Sequence, residues 1–154
     1  MKITDVLDKS AVFPQLESKN KPDLLRELSD RVAGVYQNIN PERLNELIFE
    51  REKLCSTAIY SGVAIPHAVF NGIPDIVGAF AKISDGIEFG SLDSKPTSMF
   101  FLILSPENSI SEHIDILARA ARIFRNPDLR SRLMKTQSAD EIYDAIVSED
   151  EKYS

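Results

Sequence analysis

The run Ser98-Met99-Phe100-Phe101-Leu102-Ile103-Leu104 limits the fold more than any other stretch. Successive side chains of a strand point to opposite faces, so an unbroken apolar run leaves no face for water. Its length suits a strand, and Ser105-Pro106 stops it. A strand buried on both faces needs one layer above it and another below.

The flanking segments supply helices for those layers. Asn20 is placed to cap a helix with Pro22 in its first turn, and Leu24, Leu25, Leu28, Val32 and Val35 recur at helical spacing. Gly34 weakens the last turn. A second helix starts at Asn40-Pro41, carries Leu44, Leu47 and Ile48 inward, and ends near Lys53. After the apolar run, Ser109 or Ser111 caps a third helix with Ile114, Leu117, Ala118, Ala121 and Phe124 on one face. Asn126-Pro127 breaks it, and a short helix follows over Asp128 to Lys135. Ser138-Ala139-Asp140-Glu141 reads as a capping box before Ile142, Ala145 and Ile146.

Other strands are expected beside the central one. Gly62 to Ile65 reads as a short buried strand, and Ile76 to Ile83 as a longer one between turns at Pro74-Asp75 and Ser84-Asp85-Gly86. Ile87 and Phe89 read as part of a shorter strand, Ile3 to Leu7 as a short first helix, and Val12-Phe13 as a short extended piece. With 154 residues, 43% of them hydrophobic, the chain can fill one core but not two comfortable ones. The element order predicts a single α/β domain over residues 1–148, a sheet with helices on both faces, and a frayed acidic tail over 149–154.

The net charge of −6 argues against general nucleic-acid or membrane-surface binding and suits a basic protein partner. The N-terminus lacks the apolar core of a signal peptide, and no run reaches membrane-spanning length. One cysteine, Cys55, excludes an internal disulfide and fits a reducing compartment. A cytoplasmic protein is expected. Cys55 itself reads as a small buried hydrophobe.

The candidate chemistry centres on Arg51 to Phe70. Pro66 lacks an N–H and pushes Ile65 towards an extended conformation, so His67 is expected where a strand meets a loop. A neutral imidazole there can attack an electrophile, while Ser56, Thr57 and Arg51 can hold an anion. The alternative has Arg51 paired with Glu50 or Glu52, and Ser56 and Thr57 forming a turn. The second histidine, His113, falls in the first turn of the third helix, where unpaired N–H groups favour a nearby anion and disfavour the imidazolium. On spacing alone the two histidines either share a pocket or are ordinary separate residues. HExxH, GxSxG, Walker A and GxGxxG patterns are all absent, which argues against a metal site or nucleotide binding through those devices. The basic run Arg119, Arg122, Arg125, Arg130, Arg132 and Lys135 reads as a solvated helix face, with docking of an acidic partner as the alternative.

Arg51-Glu52, Ser56-Thr57, Ile59, Gly62 and Ala64-Ile65-Pro66-His67 resemble the active-site signature of enzyme IIA domains of the fructose/mannitol and nitrogen-regulatory branch of the bacterial phosphotransferase system. Phe89 to Pro96, His113 to Ala118 and Gln137 to Tyr143 resemble further segments of that family, so the likeness spans nearly the whole chain. The resemblance implies a mixed sheet between helices. It also implies a phosphocarrier that takes a phosphoryl group on His67 from a histidine-phosphorylated carrier protein, with His113 orienting it and Arg51 balancing its charge. Neither metal nor nucleotide is required of this chain. The leading expectation is a stand-alone, nitrogen-type enzyme IIA whose phosphorylation state selects regulatory targets. The alternatives are a sugar-specific enzyme IIA that serves a separate enzyme IIB, and a binding module that no longer transfers phosphate. Ala58 and Tyr60 stand where the family usually has glycine, which bears on the loop shape, and Val69 replaces a usual basic or small residue.

Overall fold

The structure is a computed structural model describing residues 1–153. After a 3-10 turn at Ile3–Asp5, the elements are β1 (Leu7–Phe13), α1 (Lys21–Ala33), α2 (Pro41–Leu54), β2 (Val63–Ala64), β3 (His67–Val69), β4 (Val77–Ile87), β5 (Thr97–Ser105), α3 (Ile110–Ile123), α4 (Pro127–Lys135) and α5 (Ala139–Glu151). The strands form one mixed sheet in the order β1-β4-β5-β2, with β3 continuing β2 along β5. β4 and β5 run antiparallel; β1 on β4, and β2 and β3 on β5, run parallel.

β5 is the strand that the apolar run announced. Met99 to Ser105 are all buried, and alternation divides them between the two helix layers. Phe101, opposite Phe80 on β4, packs with it against Phe124 just after α3. Phe100 points the other way, onto Phe89, whose ring lies under the Lys21 ammonium of α1. α1 and α2 therefore cover one face, and α3 to α5 the other. Lys82 of β4 shares a face with Phe80. It is fully buried and donates to the carbonyls of Leu133 and Thr136, holding the C-terminal end of α4 on the sheet.

Caps act where the sequence places them. Asn20, Asn40 and Ser138 side chains accept from Asp23, Arg43 and Glu141 N–H groups, and Asn126 from Asp128 N–H. Ser109 precedes α3 but makes no side-chain cap. Among the described residues no helix is long and apolar enough to cross a membrane.

Four expectations are corrected. The first helix shrinks to the 3-10 turn, and Leu7 begins a full edge strand. Its alternation is masked because Asp8, Lys9 and Ser10 bulge outward between the Leu7 and Val12 pairings. The turn at Ser84-Asp85-Gly86 lies instead within the single strand β4. Gly86 at φ 71° absorbs the irregularity there, and a Cβ on it would meet the Pro96 side chain at 2.8 Å. The inward face of α3 is Ile116, Ala120 and Ile123, leading to Phe124, with Leu117 and Ala121 partly buried. Ile114 is 60% exposed, because the helix carries two apolar stripes and the sheet takes only one. The tail is not frayed over its described part: α5 runs to Glu151 with Glu149 and Asp150 buried. Asp150 accepts from the Ile3 N–H at 2.9 Å and pairs with Arg119, and Glu149 accepts from Asn126 at 3.0 Å. Ser154, the tail's last residue, lies outside the described residues.

Candidate functional site

The site forms at the C-terminal end of β5, where α/β sheets commonly place ligands. β2 ends at Ala64, Ile65-Pro66 steps the chain forward, and β3 opens with His67 opposite Ile103. β5 ends at Ser105, and the chain returns into α3 with His113 one turn in. The two imidazoles are brought together, with ring centroids 5.5 Å apart and planes at 60°. Arg51 arrives from the last turn of α2.

Hydrogen bonds define the His67 ring. Its Nδ1 lies 2.9 Å from the Ile65 carbonyl oxygen. A carbonyl only accepts, so Nδ1 carries the proton and Nε2 carries the lone pair. Arg51 Nε donates to that Nε2 at 3.3 Å, and Arg51 Nη1 donates to the Cys55 carbonyl at 3.1 Å. Arg51 therefore turns to the histidine rather than to Glu50 or Glu52. Glu50 pairs with Lys53, and Glu52 with Lys21. His113 is held through Nδ1 by the hydroxyl of buried Ser105.

Both imidazoles are biased towards the neutral form. Burial pushes the His67 pKa below its ordinary 6.5, the Ile65 hydrogen bond opposes this, and Arg51 reinforces it. Burial also lowers His113, and the neighbouring His67 adds to the effect. Near pH 7, two half-buried neutral rings thus stand face to edge with a guanidinium beside the His67 Nε2 lone pair. Such a group can attack an electrophile and hold a transferred anion.

Residues 5–149 match the family described as "Phosphoenolpyruvate-dependent sugar phosphotransferase system, EIIA 2". The chain belongs to this EIIA family. The nitrogen regulatory protein of Bradyrhizobium diazoefficiens is 36% identical over 146 residues, 95% of each chain. The fructose-specific EIIABC component of Bacillus subtilis is 31% identical over 97% of this chain, which spans 24% of that longer protein. The crystal structure of the nitrogen regulatory protein IIA-Ntr from Neisseria meningitidis superposes with a TM-score of 0.86 at 32% identity, covering 94% of this chain and 98% of that one. The mannitol IIA of Escherichia coli, at 21% identity and a TM-score of 0.74, shares the fold. The expected family and the mixed, helix-flanked sheet are thereby established, and with them a phosphocarrier function and a part in phosphotransfer.

Within this EIIA domain, three details refine the sequence reading. The Ser56 and Thr57 hydroxyls, expected to help hold an anion, are engaged in the loop of the unmodified protein: Ser56 Oγ donates to the Phe89 carbonyl at 2.6 Å, and Thr57 Oγ1 donates to Glu52. Cys55 is exposed rather than buried, since it follows α2 where the chain leaves the core. Ala58 and Tyr60, in place of glycines, cost the loop nothing in backbone strain, because neither has positive φ. The left-handed positions are Ser61 at 66° and Gly62 at 81°. Gly62 uses that conformation to turn its carbonyl onto the Ser98 and Met99 N–H groups, pinning the loop to β5.

Two contributions are not legible in the sequence. Ser105 marks only the stop of the apolar run there, although a hydroxyl at that point lies at the end of a doubly buried strand. Glu52 belongs to the signature stretch, but its inward direction depends on where α1 packs.

Proposed function

We propose that His67 accepts a phosphoryl group on Nε2 from the phosphohistidine of a small carrier protein, and that the phosphorylated and free forms select different regulatory targets, as a nitrogen-type enzyme IIA. The observation that carries this reading is the 2.9 Å contact of His67 Nδ1 with the Ile65 carbonyl, which leaves the Nε2 lone pair outward beside Arg51.

In the transfer step, Nε2 attacks phosphorus in line. The donor's N–P bond breaks, and the donor ring leaves with that electron pair. No proton needs to move at His67: Nδ1–H stays on Ile65, and the ring bears its positive charge against that carbonyl. Arg51 turns from the lone pair to the phosphoryl oxygens, where a guanidinium can form two hydrogen bonds. With the Ser105 hydroxyl donating to His113 Nδ1, the His113 Nε2–H is left to donate to another phosphoryl oxygen. Such transfers rest on positioning and charge stabilisation, which the three side chains supply. The 36% identity to a nitrogen regulatory protein and the 0.86 superposition on IIA-Ntr support the regulatory output.

The test is to mix the protein with phosphoenolpyruvate, enzyme I and the histidine carrier protein, and to read intact mass beside His67→Ala. An acid-labile, phosphate-sized gain absent from the variant is expected. No gain in the wild type with several carrier proteins would sink the proposal.

A further inference from the structure

We propose that Glu52, clamped by Lys21, is a positioning residue that sets the tautomer of His67 and the station of Arg51. This deepens the reading of His67 as phosphoryl acceptor and rests on it. Glu52 lies on the inner side of the last turn of α2, with its side chain 3% exposed. One carboxylate oxygen accepts from the Thr57 N–H at 3.0 Å and from Lys21 Nζ at 2.9 Å; the other accepts from the Thr57 hydroxyl. A carboxylate suits this arrangement. It presents acceptors only, and here it receives a backbone donor, a hydroxyl and an ammonium together.

From Thr57 the order passes to the histidine in two steps. The Thr57 carbonyl accepts from the Ile65 N–H at 3.1 Å, and the Ile65 carbonyl accepts from His67 Nδ1 at 2.9 Å. The same loop presents the Cys55 carbonyl that anchors Arg51 Nη1. Both restraints on the nucleophile, the partner that keeps the proton on Nδ1 and the cation beside Nε2, thus hang from a segment that Glu52 fastens. Lys21 closes the clamp from α1. It neutralises Glu52 and donates to the Phe89 carbonyl at 3.2 Å, which also accepts from Ser56 Oγ. Glu52 touches neither histidine through a hydrogen bond; beyond the direct pull of its charge, which favours a protonated His67, it acts through the loop.

Glu52→Gln tests this. An amide keeps the shape but removes the charge that holds Lys21, and its N–H₂ meets the Thr57 hydroxyl, which must turn from donor to acceptor, so the clamp loosens. The protein has two histidines, so ring-nitrogen NMR of the 15N-labelled chain resolves each tautomer. The wild type should show His67 as the Nδ1–H form. Glu52→Gln should show a substantial Nε2–H fraction and a roughly 10-fold slower phosphorylation at saturating donor, the scale expected from sub-ångström misplacement. Ile146→Ala, a buried α5 position remote from the loop, supplies a destabilised comparison whose His67 tautomer and phosphorylation rate should match the wild type. If Glu52→Gln does not fold, Thr57→Val removes the hydroxyl link alone and should shift the tautomer in the same direction. A wild-type tautomer and rate in the folded variants would overturn the proposal, as would an equal shift in Ile146→Ala. The tautomer is read without any donor. A wild type that shows Nδ1–H yet never gains phosphate would therefore defeat the acceptor assignment and not this one.

Discussion

Replacing Arg51 with methionine separates the role of its charge from that of its bulk. In the unmodified protein the guanidinium makes three modest contacts, 3.3 Å to His67 Nε2, 3.1 Å to the Cys55 carbonyl and 3.9 Å to the Cys55 sulfur, on a half-buried side chain. Each such hydrogen bond contributes about 0.5–1.5 kcal/mol net at best, and solvent access reduces that, so stability should fall by no more than about 1 kcal/mol. The phosphorylated state differs, because hydrogen bonds to a charged group contribute about 1.5–3 kcal/mol. Losing that contribution should slow transfer by roughly 10- to 150-fold, at about 1.4 kcal/mol per decade. A second readout moves in the opposite sense. Arg51 lowers the His67 pKa, so its removal should raise that pKa while burial still holds it down. Arg51→Met should therefore be nearly as stable as the wild type, be phosphorylated far more slowly by the phosphorylated carrier in a rapid-quench time course, and titrate His67 at higher pH by NMR. Transfer within twofold of wild type, or an unmoved His67 titration, would refute the role assigned to Arg51.

Further outcomes follow from the same geometry. Ser105→Ala should leave the fold intact but free His113 Nδ1, slowing phosphorylation by roughly 2- to 12-fold, the range for one neutral hydrogen bond of about 0.5–1.5 kcal/mol; quench-flow against wild type checks this. Asp150→Asn keeps an acceptor for the Ile3 N–H but leaves partly exposed Arg119 without its charge partner, and should cost about 2–3 kcal/mol in urea melts, below the range for fully buried pairs. A loss under about 0.5 kcal/mol would mean the tail is not docked as described. Both histidines have folded-state pKa values lowered from 6.5, so their contribution to stability is complete above that value. It should decline as pH falls from 6.5 towards the folded values, where the unfolded chain binds the protons first. Two-state melts from pH 8 to 5 should show this decline, reduced in His67→Ala.

The elements that were legible from the sequence carry strong local signals. An uninterrupted apolar run excludes a wet face, and Asn-x-Pro, Asn-Pro or Ser-x-x-Glu patterns satisfy orphan N–H groups through the chain's own neighbours, so β5 and the starts of α1, α2 and α5 needed nothing else. What was misread depended on distant partners. Asp8 to Ser10 hide an edge strand that only pairing with β4 defines, and Glu149 and Asp150 look solvated until Asn126, Arg119 and the Ile3 N–H approach them.

At the site, the residues of one stretch, Arg51 to His67, carried the family signature and named a nucleophile. The sequence by itself determined the layered α/β class, the helix starts and the residue types able to receive a phosphoryl group, because each follows from periodicity, capping or side-chain chemistry within a short window. Only the tertiary structure decided the geometry in which His113 meets His67, that Ser105 holds one ring and the Ile65 carbonyl the other, that the Arg51 Nε faces the lone pair, and that the Ser56 and Thr57 hydroxyls bond within the loop. Those outcomes depend on where β5 ends relative to α2, α3 and α1. That is set by packing on both faces of one buried strand, which no local window contains.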